Sequence, residues 1–236
     1  MLEQMKKSKH IVVFTGAGMS TESGLSDFRS QQGLWKKYNP IELATVDAMN
    51  QSRDVFTHFY KERIQTIQHH SPHIGHHILA EWQKRGIIQT IITQNVDGYH
   101  QQAGAKDVIE LHGSLAHVHC SSCGVKDSNQ CYLESNYTCN CGGFLRPSIV
   151  LFGEMLNEEH MNQALRATEK ADFFLVLGSS LEVSPANQFP LIAKERGATF
   201  AIINMERTAL DSEADFIIQG QKIGDVLKEF NNELVR

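Results

Sequence analysis

No stretch of this 236-residue chain stays apolar for the ~20 residues that a membrane-spanning helix requires, so the sequence offers no membrane partner. A basic surplus is missing as well. Twenty-two Lys and Arg stand against 27 Asp and Glu, a formal net charge of −5, which leaves no electrostatic footprint for nucleic acid. A partner attracted by charge would instead be basic, such as a lysine-bearing peptide. There is no internal repeat and no low-complexity tract. The N-terminal apolar run HIVVF (10–14) leads to Gly16-Ala17-Gly18 and not to a small-residue cleavage site, so it reads as a first strand and not as a signal peptide. Cysteine is scarce: five residues, four of them in two close pairs. That usage suits metal binding in a reducing cytoplasm better than a disulfide framework.

What is present is the composition of an ordinary globular protein with a full core. Apolar runs bounded by turn residues recur at HIVVF (10–14), IIQTIIT (87–93), FFLVLG (173–178), TFAIIN (199–204) and DFIIQ (215–219). Their hydrophobicity is nearly continuous, the pattern of parallel strands covered on both faces. Helical patterns at 158–171, 185–197 and 224–235 alternate with them, which predicts an α/β, doubly wound fold. Two stretches break the alternation. Residues 32–85 look helical throughout, and residues 119–143 hold the cysteines, so both read as insertions that form a smaller lobe.

Four strand ends carry polar or glycine-rich turns, the place where open α/β sheets bind ligands. After the first strand, Gly16-Ala17-Gly18 lets the backbone approach a pyrophosphate, with a helix starting near Ser20 or Thr21. Asp27-Phe28-Arg29 follows. The second is TQNVDG (93–98), where Gln94, Asn95 and Asp97 could grip a ribose or an amide; the same residues could equally cap a turn. The third is Gly178-Ser179-Ser180, and the fourth is Asn204 with Glu206, suited to ribose hydroxyls. A purely structural turn would explain each site taken singly; four together point to a dinucleotide. His112 ends the run VIEL and precedes Gly-Ser. A neutral imidazole there could serve as general base toward a ribose hydroxyl, and a buried structural histidine fits the sequence equally well. The cluster HHSPHIGHH (69–77) lacks carboxylates or cysteines and reads as a helix face and not as a metal site.

Cys120 and Cys123 form a C-x2-C pair, and Cys139 and Cys141 a C-x-C pair. Two close thiolate pairs suit the tetrahedral shell of a structural Zn2+, with no open position for water. The second pair is one residue shorter than the common spacing, so Cys131 could stand in for Cys139 as a ligand.

Together these residues resemble the sirtuins, the NAD-dependent protein lysine deacylases. The likeness runs in order through GAGMSTESGLSDFRS, GLW, TQNVDGYHQQAG, ELHGS, the paired cysteines, RPSIVLFGE, GSSLEVSPAN and IINMERT, nearly the whole chain. It implies a Rossmann-type lobe over 1–31, 86–118 and 144–236, and a small lobe of helical insert (32–85) plus zinc ribbon (119–143). It implies NAD contacts at Ala17, Thr21, Phe28, Arg29, Gln94, Val96, Asp97, Ser179, Ser180, Asn204 and Ile223. His112 would be the catalytic base, with Asn95 and Asp97 beside it. The segment 149–154, with Val150, Phe152 and Gly153, would hold an acyl-lysine peptide as an added strand. The implied reaction consumes NAD: the acyl carbonyl oxygen attacks C1′ of the nicotinamide ribose and expels nicotinamide, His112 accepts a proton through the ribose hydroxyls so that the 2′-hydroxyl attacks the resulting imidate, and water completes release of lysine and O-acyl-ADP-ribose. Two features depart from the family pattern, Tyr99 where leucine is commoner and the C-x-C pair. Tyr60 and Arg63 stand three apart, on one face if helical, and are similar to the Tyr-x-x-Arg of sirtuins that remove succinyl and malonyl groups. A solvated helix face carrying an ordinary arginine would explain the pair equally well. Without the resemblance, the strand ends alone would suggest a dehydrogenase. The same scaffold could also carry mono-ADP-ribosyl transfer to protein, or serve as a non-catalytic reader of acylated peptides.

Overall fold

The computed structural model describes residues 1–235. Its strands are β1 (Ile11–Thr15), β2 (Thr90–Thr93), β3 (Val108–Glu110), β4 (Gly113–Cys120), β5 (Lys126–Ser128), β6 (Leu145–Ile149), β7 (Phe173–Leu177), β8 (Thr199–Asn204) and β9 (Phe216–Gln219). Six of them form a wholly parallel sheet in the order β3-β2-β1-β7-β8-β9. The central strands β1, β7 and β8 are covered on both faces, as their unbroken apolar runs require, whereas the edge strand β9 leaves Phe216 and Ile217 exposed. Val13, Leu175 and Ile203 pack beneath the helices Ile74–Lys84 and Ile223–Leu234. Phe14, Val176 and Ile202 pack beneath Glu158–Lys170 and Phe189–Glu195. Each fully buried side chain of this size contributes about 1.5–3 kcal/mol.

All five expected strands are present. The second is shorter than its apolar run, because Ile87 and Ile88 give their N–H groups to Trp82 O and close the preceding helix instead. The helix after β7 begins as a 3-10 turn, Ala186–Gln188. The turn after β1 is likewise a 3-10 helix, Ala17–Ser23, where an α-helix is expected from Ser20. Thr21 Oγ1 bonds Gly18 O there at 2.9 Å, a side chain competing with the backbone ladder.

The stretch 34–69 is helical in short pieces that end in the long helix Arg53–His69. Asn39 caps the piece Pro40–Leu43 and Thr45 caps Val46–Gln51, with proline at the first position of the former. β4, β5 and β6 form a separate antiparallel sheet, ordered β5-β4-β6. The apolar clusters divide at points that differ from the expected boundaries. Residues 113–118 and 145–149 build the small sheet, and Leu115, Val118 and Ile149 share a cluster with Leu43, Phe56 and Phe59. The helix Ile74–Lys84 goes the other way and buries Ile78, Leu79 and Trp82 against the large sheet. Apolar faces decide these allegiances, and the breaks in composition do not.

Strand order reverses between β1 and β7, so their C-terminal ends diverge into a crevice. That crevice positions everything below.

Candidate active site

At the crevice the backbones of two turns interlock. Gly18 N–H donates to Gly178 O at 2.8 Å, and Gly16 N–H to Leu177 O at 3.1 Å. A Cβ on Gly178 would stand 2.2 Å from Met19 N, and one on Gly16 2.7 Å from Gly178 O. Only glycine permits this approach, and the result is a cradle of backbone with no side chain in the way. The cradle opens into a cleft of about 1510 Å³. Single small-ligand sites span about 300–1,000 Å³, so the volume suits a dinucleotide together with a segment of peptide.

Every cleft residue singled out in the sequence lines this one cavity. Gly16, Ala17, Gly18 and Thr21 come from the turn after β1, and Phe28 and Arg29 from the loop beyond it. Gln94, Asn95, Val96 and Asp97 follow β2, and His112 follows β3. Gly178, Ser179 and Ser180 follow β7, Asn204 and Glu206 sit at the end of β8, and Ile223 opens the last helix. Tyr60 and Arg63 enter from the helix Arg53–His69, and Val150, Phe152 and Gly153 from the segment after β6.

The polar side chains hold one another in place. Gln94 Nε2 donates to Ser179 Oγ at 2.9 Å, joining the ends of β2 and β7. Asn95 Nδ2 donates to Gly16 O at 3.0 Å. Asp97 accepts from Ser20 Oγ at 2.7 Å and from Tyr99 N–H at 2.9 Å, and burial raises its pKa. Asn204 Nδ2 closes its turn on Glu206 O at 2.9 Å. Ser20 carries no signal of this role in the sequence, because 77 residues separate it from Asp97 and no spacing links them.

His112 Nδ1 lies 3.0 Å from Gln94 O. A carbonyl can only accept, so Nδ1 carries the proton and Nε2 is the basic nitrogen. Burial lowers the His112 pKa, the Gln94 bond opposes this, and the nearby Arg29 charge lowers it further. The imidazole is therefore neutral near pH 7. Its own carbonyl accepts from Val150 N–H at 2.9 Å, which ties the ring's backbone to the segment after β6.

His69, His70, His73 and His76 of the 69–77 cluster turn to separate partners. His73 caps the helix Ile74–Lys84 and bonds Met19 O at 2.7 Å. His76 is fully buried behind Ser20, and burial pushes its pKa down to about 2. Tyr99, in place of the commoner leucine, buries its ring and donates from Oη to Ile67 O at 2.9 Å.

Tyr60 is 4% exposed, and burial holds its phenol neutral, pushed up to about 12. The Arg63 guanidinium packs 4.8 Å from the Phe28 ring centroid and 5.8 Å from that of Phe59. Among the described residues no carboxylate forms an ion pair with Arg63.

The four paired cysteines converge outside the cleft. Their Sγ atoms all lie within 4.8 Å of one another, with Cys120–Cys141 at 3.5 Å and Cys123–Cys139 at 3.8 Å. Tetrahedral zinc with Zn–S near 2.3 Å spaces its sulfurs about 3.8 Å apart. The N–H of Cys123 points at Cys120 Sγ and, with that of Ser122, draws this thiol down to about 6, although burial opposes the shift. Gly143 is required here, since a Cβ would stand 2.6 Å from Cys120 Sγ. The cluster fits Zn2+, which would be held by four thiolates and would brace the ribbon. Cys131 stays apart, its thiol directed at Ser128 O.

The sequence matches the family model "Sir2 family" over residues 16–185. NAD-dependent protein deacetylase 1 of Geobacillus kaustophilus is 59% identical over 228 residues, which cover 96% of this chain and 94% of that one. A Sir2 homologue mutant solved with ADP-ribose superposes with a TM-score of 0.93 at 36% identity, covering 99% of this chain and 95% of that one. A Sir2 structure with a p53 peptide and NAD+ gives 0.88 at 32% identity, covering 98% and 96%.

Proposed function

The chain belongs to the Sir2 family, and we propose on that premise that it is an NAD-dependent protein lysine deacylase. The observation that carries this reading is the station of His112. The ring is fixed by Gln94 at the end of β2, and its carbonyl is bonded to Val150 in the segment after β6. One residue thus stands between the nucleotide turns and the stretch assigned to the peptide.

NAD, when bound, supplies an electrophilic ribose carbon and a leaving group. The chain's own residues do the rest. The Gly16, Gly18 and Gly178 N–H groups are bonded to neighbouring carbonyls, so the diphosphate would be received on the backbone N–H groups of Ala17, Ser179 and Ser180, and Asn204 and Glu206 would meet the ribose hydroxyls. Gln94, Asn95 and Asp97 orient the reacting end, and His112 Nε2 takes a proton from a hydroxyl there. The segment Val150–Gly153 aligns the acylated lysine as an extended strand. Val96 and Ile223 wall the cleft, Thr21 and Phe28 close over it, and Arg29 places its charge beside His112. A cytoplasmic setting goes with this reading, since four thiolates hold zinc only where they stay reduced; no helix of the described residues is long and apolar enough to cross a membrane. Incubation with NAD and an acetyl-lysine peptide should release nicotinamide with no absorbance change at the reduced-cofactor band.

The acyl preference follows from Tyr60 and Arg63. Asp97 lies near enough for its charge to act on Arg63, yet no carboxylate of the described residues pairs with the guanidinium directly, and beside a neutral phenol it is suited to a carboxylate brought by the substrate. The enzyme is expected to accept succinyl- and malonyl-lysine as well as acetyl-lysine. In Arg63→Met, kcat/KM for a succinyl peptide should fall about 10²-fold, the loss of a charge-assisted contact, with acetyl activity retained. If wild type ignores succinyl-lysine, or both activities fall together, Arg63 does not read the acyl group.

A further inference from the structure

Arg146, on β6, is only 7% exposed. A guanidinium at that depth requires a partner. Nη1 donates to Glu154 Oε1 at 2.5 Å and Nη2 to Oε2 at 2.9 Å, a two-pronged ion pair. Nη2 also donates to Ile149 O at 3.0 Å, and Glu154 Oε2 accepts from Leu151 N–H at 2.8 Å. These four bonds fold the stretch 149–154 back onto the strand that leads into it. Gly153 makes the reversal at φ +93°; nothing lies within 4 Å of its missing Cβ, so backbone angle and not space calls for glycine. Two further bonds fix the stretch from outside, Val150 N–H to His112 O and Phe152 N–H to Ala44 O at 2.8 Å.

We propose that the Arg146–Glu154 pair is a positioning clasp for peptide recognition. It rests on the deacylase reading, because the stretch it shapes is the one assigned to the acyl-lysine peptide. Glu154 directs both carboxylate oxygens inward, to Arg146 and Leu151. Its part is to hold Val150, and the Leu151–Glu154 turn with Phe152 and Gly153 at its centre, in one course at a fixed spacing from His112. The geometry is specific to a planar fork: two parallel N–H···O bonds set an orientation that a point charge cannot.

The test uses the zinc-loaded enzyme with Glu154→Gln, which keeps size and an acceptor for Leu151 but removes the charge, and Arg146→Lys, which keeps the charge but removes the fork. Steady-state constants for NAD and for an acetyl-lysine peptide are measured, with peptide affinity read directly by fluorescence anisotropy. Glu154→Gln should raise the peptide KM about tenfold and weaken peptide binding to match. KM for NAD, kcat and metal content should stay within about twofold, and Arg146→Lys should fall between wild type and Glu154→Gln. An unchanged peptide KM, or a parallel decline in every constant with loss of folded protein in both variants, overturns the clasp. If Glu154→Gln does not fold, Arg146→Lys carries the same two outcomes. A wild-type enzyme that binds the acetyl peptide without deacylating it contradicts the deacylase reading alone, and the anisotropy comparison still decides the clasp.

Discussion

His112 makes two separable contacts, one through its ring and one through its carbonyl. His112→Ala removes the imidazole and leaves the Val150 bond, so fold and zinc content should be kept while kcat/KM drops about 10²–10⁴-fold. Turnover near wild type would remove His112 from the role of base. Burial, the larger cause, and Arg29 lower its pKa below the ordinary 6.5. The basic, neutral form therefore persists as pH falls through 6.5, and the acid limb of kcat/KM should lie below that value; a limb above it would place a different group in control. The sequence made His112 visible only through its place after VIEL and the family resemblance. Ser20 stayed hidden because its bond to Asp97 joins residues far apart in the chain. Arg146 and Glu154 both lie within RPSIVLFGE, yet spacing alone says nothing of a side-chain pair that closes a loop.

Among the elements, the ribbon separates what spacing can and cannot convey. Four cysteines were legible as a metal shell, and the strands of the small sheet beside them, of which only β4 carries a cysteine, Cys120, were not. β5 is three exposed residues without an apolar signature, and β6 contains Pro147, which ordinarily argues against a strand. β4 has Ser114, His117 and His119 along it, a poor match to either strand template. The central strands β1, β7 and β8 of the large sheet were readable because burial on both faces leaves little but Val, Ile, Leu and Phe. The ligand question left by the C-x-C spacing has a direct answer in metal analysis. Cys139→Ser should lose zinc and loosen the ribbon sheet, because a closed thiolate site contributes folding energy. Cys131→Ser should keep one zinc per chain. The opposite pattern would exchange the two ligands.

For the whole molecule, the reversal of strand order between β1 and β7 explains why residues from so many parts of the chain share one cleft. The strand-end rule made those turns readable in advance, since it depends on fold class and not on contacts. Domain limits were less readable, because packing of the helix Ile74–Lys84 on the large sheet follows from a buried face and not from a shift in composition. In the proposed function this cleft couples NAD cleavage to removal of an acyl group from lysine. The most direct measurement of that coupling follows nicotinamide, free lysine peptide and O-acetyl-ADP-ribose together by mass spectrometry, from NAD and an acetyl-lysine peptide. All three should appear in equal amounts, with none formed when either substrate is omitted and with formation slowed about 10²–10⁴-fold in His112→Ala. Nicotinamide release with ADP-ribose attached to protein and the peptide still acetylated would contradict the coupling.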